Sequence, residues 1–189
     1  MSEWWTYHAR DFLLFNTRTY YRLFERYNRE VWPLQIVAIV AGIAILILAL
    51  RGRWPRVIAA ILAASWLWIG WAFHWKRYST IQIAAKYFAI AFFIEALLLI
   101  VIGVALNRFA ARPNRLGIAL FAFALFIQPL IGVLMGRSWA SIELFAITPD
   151  PTAVATIGIV LGARQRLLAI IPILWCVFSA VTLWTLHHR

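Results

Sequence analysis

Residues 143–152 read ELFAITPDPT and run directly into an apolar stretch, Ala153 to Gly162. Pro149 and Pro151 each lack a backbone N–H and each disfavour helix at the residue before. A continuous helix through residues 147–152 is therefore not expected. Asp150 fits an N-cap, Pro151 the first helical position, and Thr152 the start of the helix proper. From Pro151 to Ala163 such a helix is only about 20 Å long at 1.5 Å per residue, whereas the hydrocarbon core is roughly 30 Å thick. It needs a companion, residues 138–147 (SWASIELFAI), dipping in from the same side before the break. The result is a discontinuous or re-entrant element. Irregular backbone of this kind persists in a bilayer only where it is buried in protein or faces a watery cavity. Many transporters build substrate and ion sites from such broken helices.

The rest of the chain supports a bilayer environment. It has 189 residues, 64% of them hydrophobic and 13% charged, with a mean hydropathy of +0.81. Soluble domains run near 45–50% apolar and about 25% charged, and a core of this length cannot hide the excess. The opening MSEWWTYHAR has no apolar core or small-residue cleavage site, so no removable signal peptide is expected. Runs near 31–50, 57–74, 87–106, 116–135 and 167–186 are each long enough to span, and the broken run 139–163, interrupted at 148–151, makes a sixth. The reading is all-α: a polytopic transmembrane helical bundle of about six spans, the fifth discontinuous or re-entrant. Residues 1–30 form a separate N-terminal segment and 31–189 a single transmembrane domain. Within the former, Tyr20, Leu23, Phe24 and Tyr27 share one helical face, which predicts an amphipathic helix on the membrane surface. A docking surface for a partner protein is the alternative for this face.

Tryptophans 4, 5, 32, 54, 75, 139 and 184 fall near run ends, as an interfacial aromatic belt would. Trp66, Trp68 and Trp71 lie deeper, as packing residues or cavity walls. Small residues at Ala38/Gly42, Ala60/Ala64, Gly132/Gly136 and Gly158/Gly162 suggest close helix contacts. The lone Cys176 excludes an intrachain disulfide and any cysteine-built metal site.

The net charge of +11 is spread over short arginine clusters between apolar runs, which points to anionic lipid headgroups rather than nucleic acid. Loops 51–56, 107–115 and 162–166 hold most of these arginines. With six spans they share one face, which the positive-inside bias places in the cytoplasm, leaving both termini outside. Five N-terminal arginines favour the opposite orientation.

Charged groups inside a membrane cost roughly 2.5–3.5 kcal/mol at mid-helix, so each is a candidate for function. Glu95 lies near the middle of its run and must face other helices, protonated or hydrogen-bonded. Gln128 precedes Pro129, which frees a carbonyl one turn back; Gln128 could satisfy that backbone or reach Glu95. His74, Lys76 and Arg77 end the second run on the same face as Asp150, and snorkelling explains the two cations and Lys86. The polar-site candidates are thus Asp150, Glu95, Gln128, His74, Thr148 and Thr152. For Asp150, capping alone and capping plus a functional site both remain open. Haem or metal binding through His74 and His187 lacks any supporting spacing.

Three stretches carry a resemblance: EWWTYHARDFLLFNTRTYYRLFERYN, HWKRYSTIQIAAKYFAIAFFIEALLL and FAITPDPTAVATIGIVL. Together they resemble a family of small bacterial multi-pass membrane proteins known only as a domain of unknown function. Relatives often place cysteine where Asp150 stands. The resemblance implies helical spans in the bacterial inner membrane and no activity.

No phosphate-cradling glycine loop, nucleophile–histidine–acid order or metal-ligand spacing is present, so a soluble-type catalytic centre is not expected. The sequence points first to a permease or channel-like protein for a small solute or ion. An accessory or scaffolding subunit of a larger membrane complex is the second reading. Either is compatible with a homo-oligomer.

Overall fold

The computed structural model describes residues 15–109, 114–163 and 165–187. The N-terminal stretch before Phe15, residues 110–113, Arg164 and the side chain of His187 lie outside the described residues. So do Trp4, Trp5 and residues 188–189; of the histidine pair considered for haem or metal, His74 is described and the His187 side chain is not.

Most of the described residues are helical, with no strand among them. α1 (Thr17–Glu30) is capped by Asn16, whose side chain accepts from the Thr19 amide. It meets α2 (Leu34–Leu50) at an angle of 91°. α3 begins at Pro55 and runs to Trp68, then widens into a π-helical stretch, Ile69–Trp75. α4 (Ala85–Leu98) ends the same way, in Leu99–Ala105. α5 (Arg115–Ala122) passes through a π-helical stretch, Phe123–Ile127, into α6 (Gln128–Leu134). Pro129 explains that widening, because its missing N–H removes one i→i−4 bond and the ladder re-forms with wider spacing. α7 (Pro149–Ala163) and α8 (Ile170–His187) complete the bundle.

Four helical stretches are long and apolar enough to cross a membrane: Pro55–Thr80, Ala85–Ala105, Arg115–Leu134 and Arg166–Leu186. The bent pair α1–α2 makes a fifth if taken as one. This is fewer than the six expected, for two local reasons. The bend before Leu34 shortens the first run, and the fifth run has no helix before its break. Residues 138–147 form a single 3-10 turn, Trp139–Ser141, followed by irregular chain up to Thr148.

Two contacts define each end of the bundle. At one end Gln165 donates to the Arg108 carbonyl at 2.9 Å, and a Cβ on Gly103 would run into Ala59, which gathers the three basic hairpins. At the other, Thr17 donates to the Leu186 carbonyl at 3.2 Å and Arg77 pairs with Glu30 at 2.6 Å. α1, the 76–84 turn, the irregular segment and the end of α8 therefore cluster opposite the basic hairpins.

Close packing uses small residues, though not always the expected ones. Gly158 of α7 faces Gly117 of α5; a Cβ there would stand 2.6 Å from the Gly117 carbonyl and 2.9 Å from the Phe121 amide. Gly42 lies against Leu125 and Phe145, beside buried Ala38. The pair Ala60/Ala64 is exposed; Ala59 and Ala63, one position earlier, form the buried face of α3. Gly136 has φ +84° with open space around it. It ends α6 in the left-handed conformation and makes no helix contact.

The outer surface is apolar. Leu134, Ile83, Tyr87, Met135, Leu116 and many others are exposed. Trp32, Trp54, Trp75, Trp139 and Trp184 are exposed near run ends, while Trp66 is fully buried.

Candidate functional site

The irregular segment is sheltered despite having no regular structure. Ser141, Phe145, Ile147 and Thr148 are buried, so their backbone groups need partners inside the protein. Many of those partners come from α1. The Tyr27 hydroxyl donates to the Ile147 carbonyl at 2.9 Å. The Asn28 amide donates to the Ala140 and Ile142 carbonyls at 2.9 and 2.8 Å. Trp68 in turn donates to the Tyr27 oxygen at 2.9 Å. The aromatic face of α1, with Tyr20, Phe24 and Tyr27 buried, thus packs onto its own chain. The expectation that lipid or a partner protein would cover it is corrected: Tyr20 and Phe24 form an aromatic cluster with Phe15, Phe73 and Tyr78.

Three threonines at four-residue spacing, Thr148 just before α7 and Thr152 and Thr156 within it, line its buried side. Thr148 donates to the Leu144 carbonyl at 3.0 Å, Thr152 to the Thr148 carbonyl at 2.8 Å, and Thr156 to the Thr152 carbonyl at 2.8 Å. Thr152 also accepts from the Ala146 amide at 2.8 Å, tying the irregular segment to the first turn of the helix. Ala146 has φ +62°, a left-handed conformation that this hydrogen bond helps to hold. Thr156 accepts from the Trp66 indole at 2.9 Å.

Asp150 does not cap the helix. α7 starts at Pro149, which places Asp150 inside the first turn, where its charge also suits the helix dipole. Its carboxylate is directed to α8 instead. Oδ1 accepts from the Trp175 indole at 2.7 Å and Oδ2 from the Ser179 hydroxyl at 2.6 Å. Trp175 and Ser179 are four apart on one helix and so present their donors side by side. A charged acceptor with two short donor bonds is a strong clamp between α7 and α8.

The remaining candidates are arranged differently. Glu95 and His74 are both fully buried, and neither Glu95 oxygen nor either His74 ring nitrogen has a hydrogen-bond partner. His74 lies among aromatic rings, 4.4 Å from Phe92 and 4.8 Å from Trp175 between ring centroids. Phe92 lies one turn before Glu95 on α4 and also touches Trp66 at 4.3 Å. Trp175 thus contacts both His74 and Asp150, and Phe92 stands next to His74 one turn from Glu95. Gln128 does not reach Glu95, and its buried Oε1 has no partner. Arg77 pairs with Glu30 and donates to the Ala72 carbonyl at 2.6 Å. Lys76 stacks 3.9 Å above Trp71. No group of three or more His, Cys, Asp or Glu suited to a metal occurs among the described residues.

Several partners escaped the sequence reading. Glu143 is buried and pairs with Arg137 at 2.8 Å, bridging the irregular segment to the turn after α6. Trp175, Ser179 and Thr156 were also missed. The i, i+4, i+8 threonine spacing was a readable signal, and so was the Trp175/Ser179 pair. Nothing in the sequence linked either to Asp150.

Neither a curated protein nor a solved structure matches the chain. Its match to a family extends over residues 17–188, and on that match the chain belongs to DUF6064, a family of unknown function.

Proposed function

We propose that this is a multi-pass integral membrane protein of the bacterial cytoplasmic membrane that moves a small solute or ion. In this reading the fifth of six passages is interrupted, the basic hairpins face the cytoplasm, and α1 lies along the outer surface. The observation that carries it is the full burial of Glu95 and His74 with no hydrogen-bond partner. Polar groups left unmatched inside a packed interior are expensive, and in membrane bundles ionisable ones mark pathways. Glu95 is the protonatable group, His74 its neighbour across Phe92, and Asp150 the clamp that keeps α7 and α8 in place around them.

The test is flux. The protein is reconstituted in liposomes with an internal pH dye and challenged with ion and small-solute gradients. Flux with the native chain should fall to that of empty vesicles in Glu95→Gln, with unfolding temperature maintained. Full flux in Glu95→Gln defeats the assignment.

A second reading, an accessory subunit of a larger membrane complex, is favoured by one specific observation. Both oxygens of Asp150 are engaged within the chain, as a purely structural carboxylate would be. Co-purification of stoichiometric partners in mild detergent, together with absent flux in the native chain, would select it.

A further inference from the structure

The outward face of α1 takes no part in that reading. Arg22, Arg26 and Arg29 recur at four- and three-residue spacing, so they share one face of the helix, and all three are exposed. The ion pairs among the described residues engage Arg77 and Arg137, leaving this row without a carboxylate partner there. With Thr19 and Thr80 the three arginines line a groove of about 490 Å³ in which Glu25 is the single acid among the described residues. A second groove of about 390 Å³ shares Thr19, Thr80 and Ile81 with the first and extends to Ile83, which is 75% exposed. The two form one trough, cationic along α1 and mixed at the turn after α3, where Ile81 and Ile83 stand among Ser79, Thr80 and Gln82.

We infer that this trough binds the phosphate-bearing headgroup of an anionic phospholipid from the leaflet that α1 faces. Three guanidinium forks against one carboxylate complement phosphate oxygens in charge and in geometry. The 91° bend between α1 and α2 lays α1 along the surface when α2 crosses, at the depth where headgroups reside. Ile81 and Ile83 then meet the first carbons of an acyl chain, which a free phosphate ion would leave unused. The site sits at the end of the bundle opposite the basic hairpins. It is therefore distinct from the lipid contacts expected at those loops, and it holds whether or not the protein transports anything.

The full chain, in phosphatidylcholine nanodiscs titrated with phosphatidylglycerol, is the system for the test. Retained lipid is counted by native mass spectrometry and unfolding followed by tryptophan fluorescence. The native chain should retain phosphatidylglycerol preferentially and gain thermal stability from it. Arg22→Gln/Arg26→Gln/Arg29→Gln should lower that preference roughly a hundredfold, since each basic residue near a lipid surface is worth about fivefold. Arg26→Gln alone should lower it about fivefold on the same basis, which keeps the test valid if the triple variant folds poorly. Arg51→Gln/Arg53→Gln/Arg56→Gln, at a basic hairpin, should lower retention independently, its loss adding to that of the α1 variants. Unchanged preference in the α1 variants overturns the inference. Equal stabilisation by inorganic phosphate at matched phosphate concentration overturns the lipid as its source.

Discussion

Asp150 and Glu95 are two carboxylates held within one bundle, and the fold treats them in opposite ways. Asp150 receives a donor on each oxygen, from Trp175 and Ser179 on the neighbouring helix. Glu95 is more deeply buried and receives none. The difference separates a carboxylate that supports the structure from one that burdens it. A partnered buried acid contributes to stability while its donors remain, and removing it leaves them unmatched. An unpartnered buried acid is a liability to folding, and residues of that kind concentrate at functional sites.

The comparison can be broken by stability measurements in detergent. Asp150→Ala leaves the Trp175 indole and the Ser179 hydroxyl without acceptors and should destabilise by about 3 kcal/mol. A change below a few tenths would show that the clamp is ornamental. Glu95→Met should act in the opposite direction, raising stability by about 2 kcal/mol as a buried polar group with no partner is removed. If Glu95→Met unfolds more readily than the native chain, an unseen partner holds that side chain and the contrast fails. Ser179→Ala removes one donor of the two, and a loss of roughly 1–2 kcal/mol is expected in the same denaturation assay. Its effect should largely vanish in the Asp150→Ala background, which a double-mutant cycle reads directly. His74→Phe is the smallest expected change, a gain of about 1 kcal/mol or less, since the ring fits an aromatic cluster and loses only unmatched nitrogens.

Much of the architecture was legible because the relevant physics is local. Hydrophobic runs marked α3, α4, α5–α6 and α8 to within a few residues, since each helix bonds its own backbone. Pro149 and Pro151 marked the interruption, and Pro129 marked the disturbance in the α5–α6 passage. The sequence was less informative where the outcome depended on which side a group turned. Asp150 at the head of a helix looks the same whether it caps its own amides or reaches across to α8. Tyr20, Phe24 and Tyr27 announce an apolar face, but a periodic pattern does not say whether lipid, a partner or the same chain covers it. Ala60/Ala64 and Ala59/Ala63 are equally small, and only the rotation of α3 against α4 selects the latter.

By itself, then, the amino-acid sequence determined that the chain is helical, that several of its helices are long and apolar enough to cross a membrane, and that no helix continues from the preceding residues into the paired prolines. Those follow from bonds made within a few residues. Only the tertiary structure decided that Asp150 is engaged while Glu95 and His74 are not, and that α1 seals the irregular segment with Tyr27 and Asn28. These depend on contacts between residues up to 120 positions apart in the chain, brought together by helix packing that no local rule specifies.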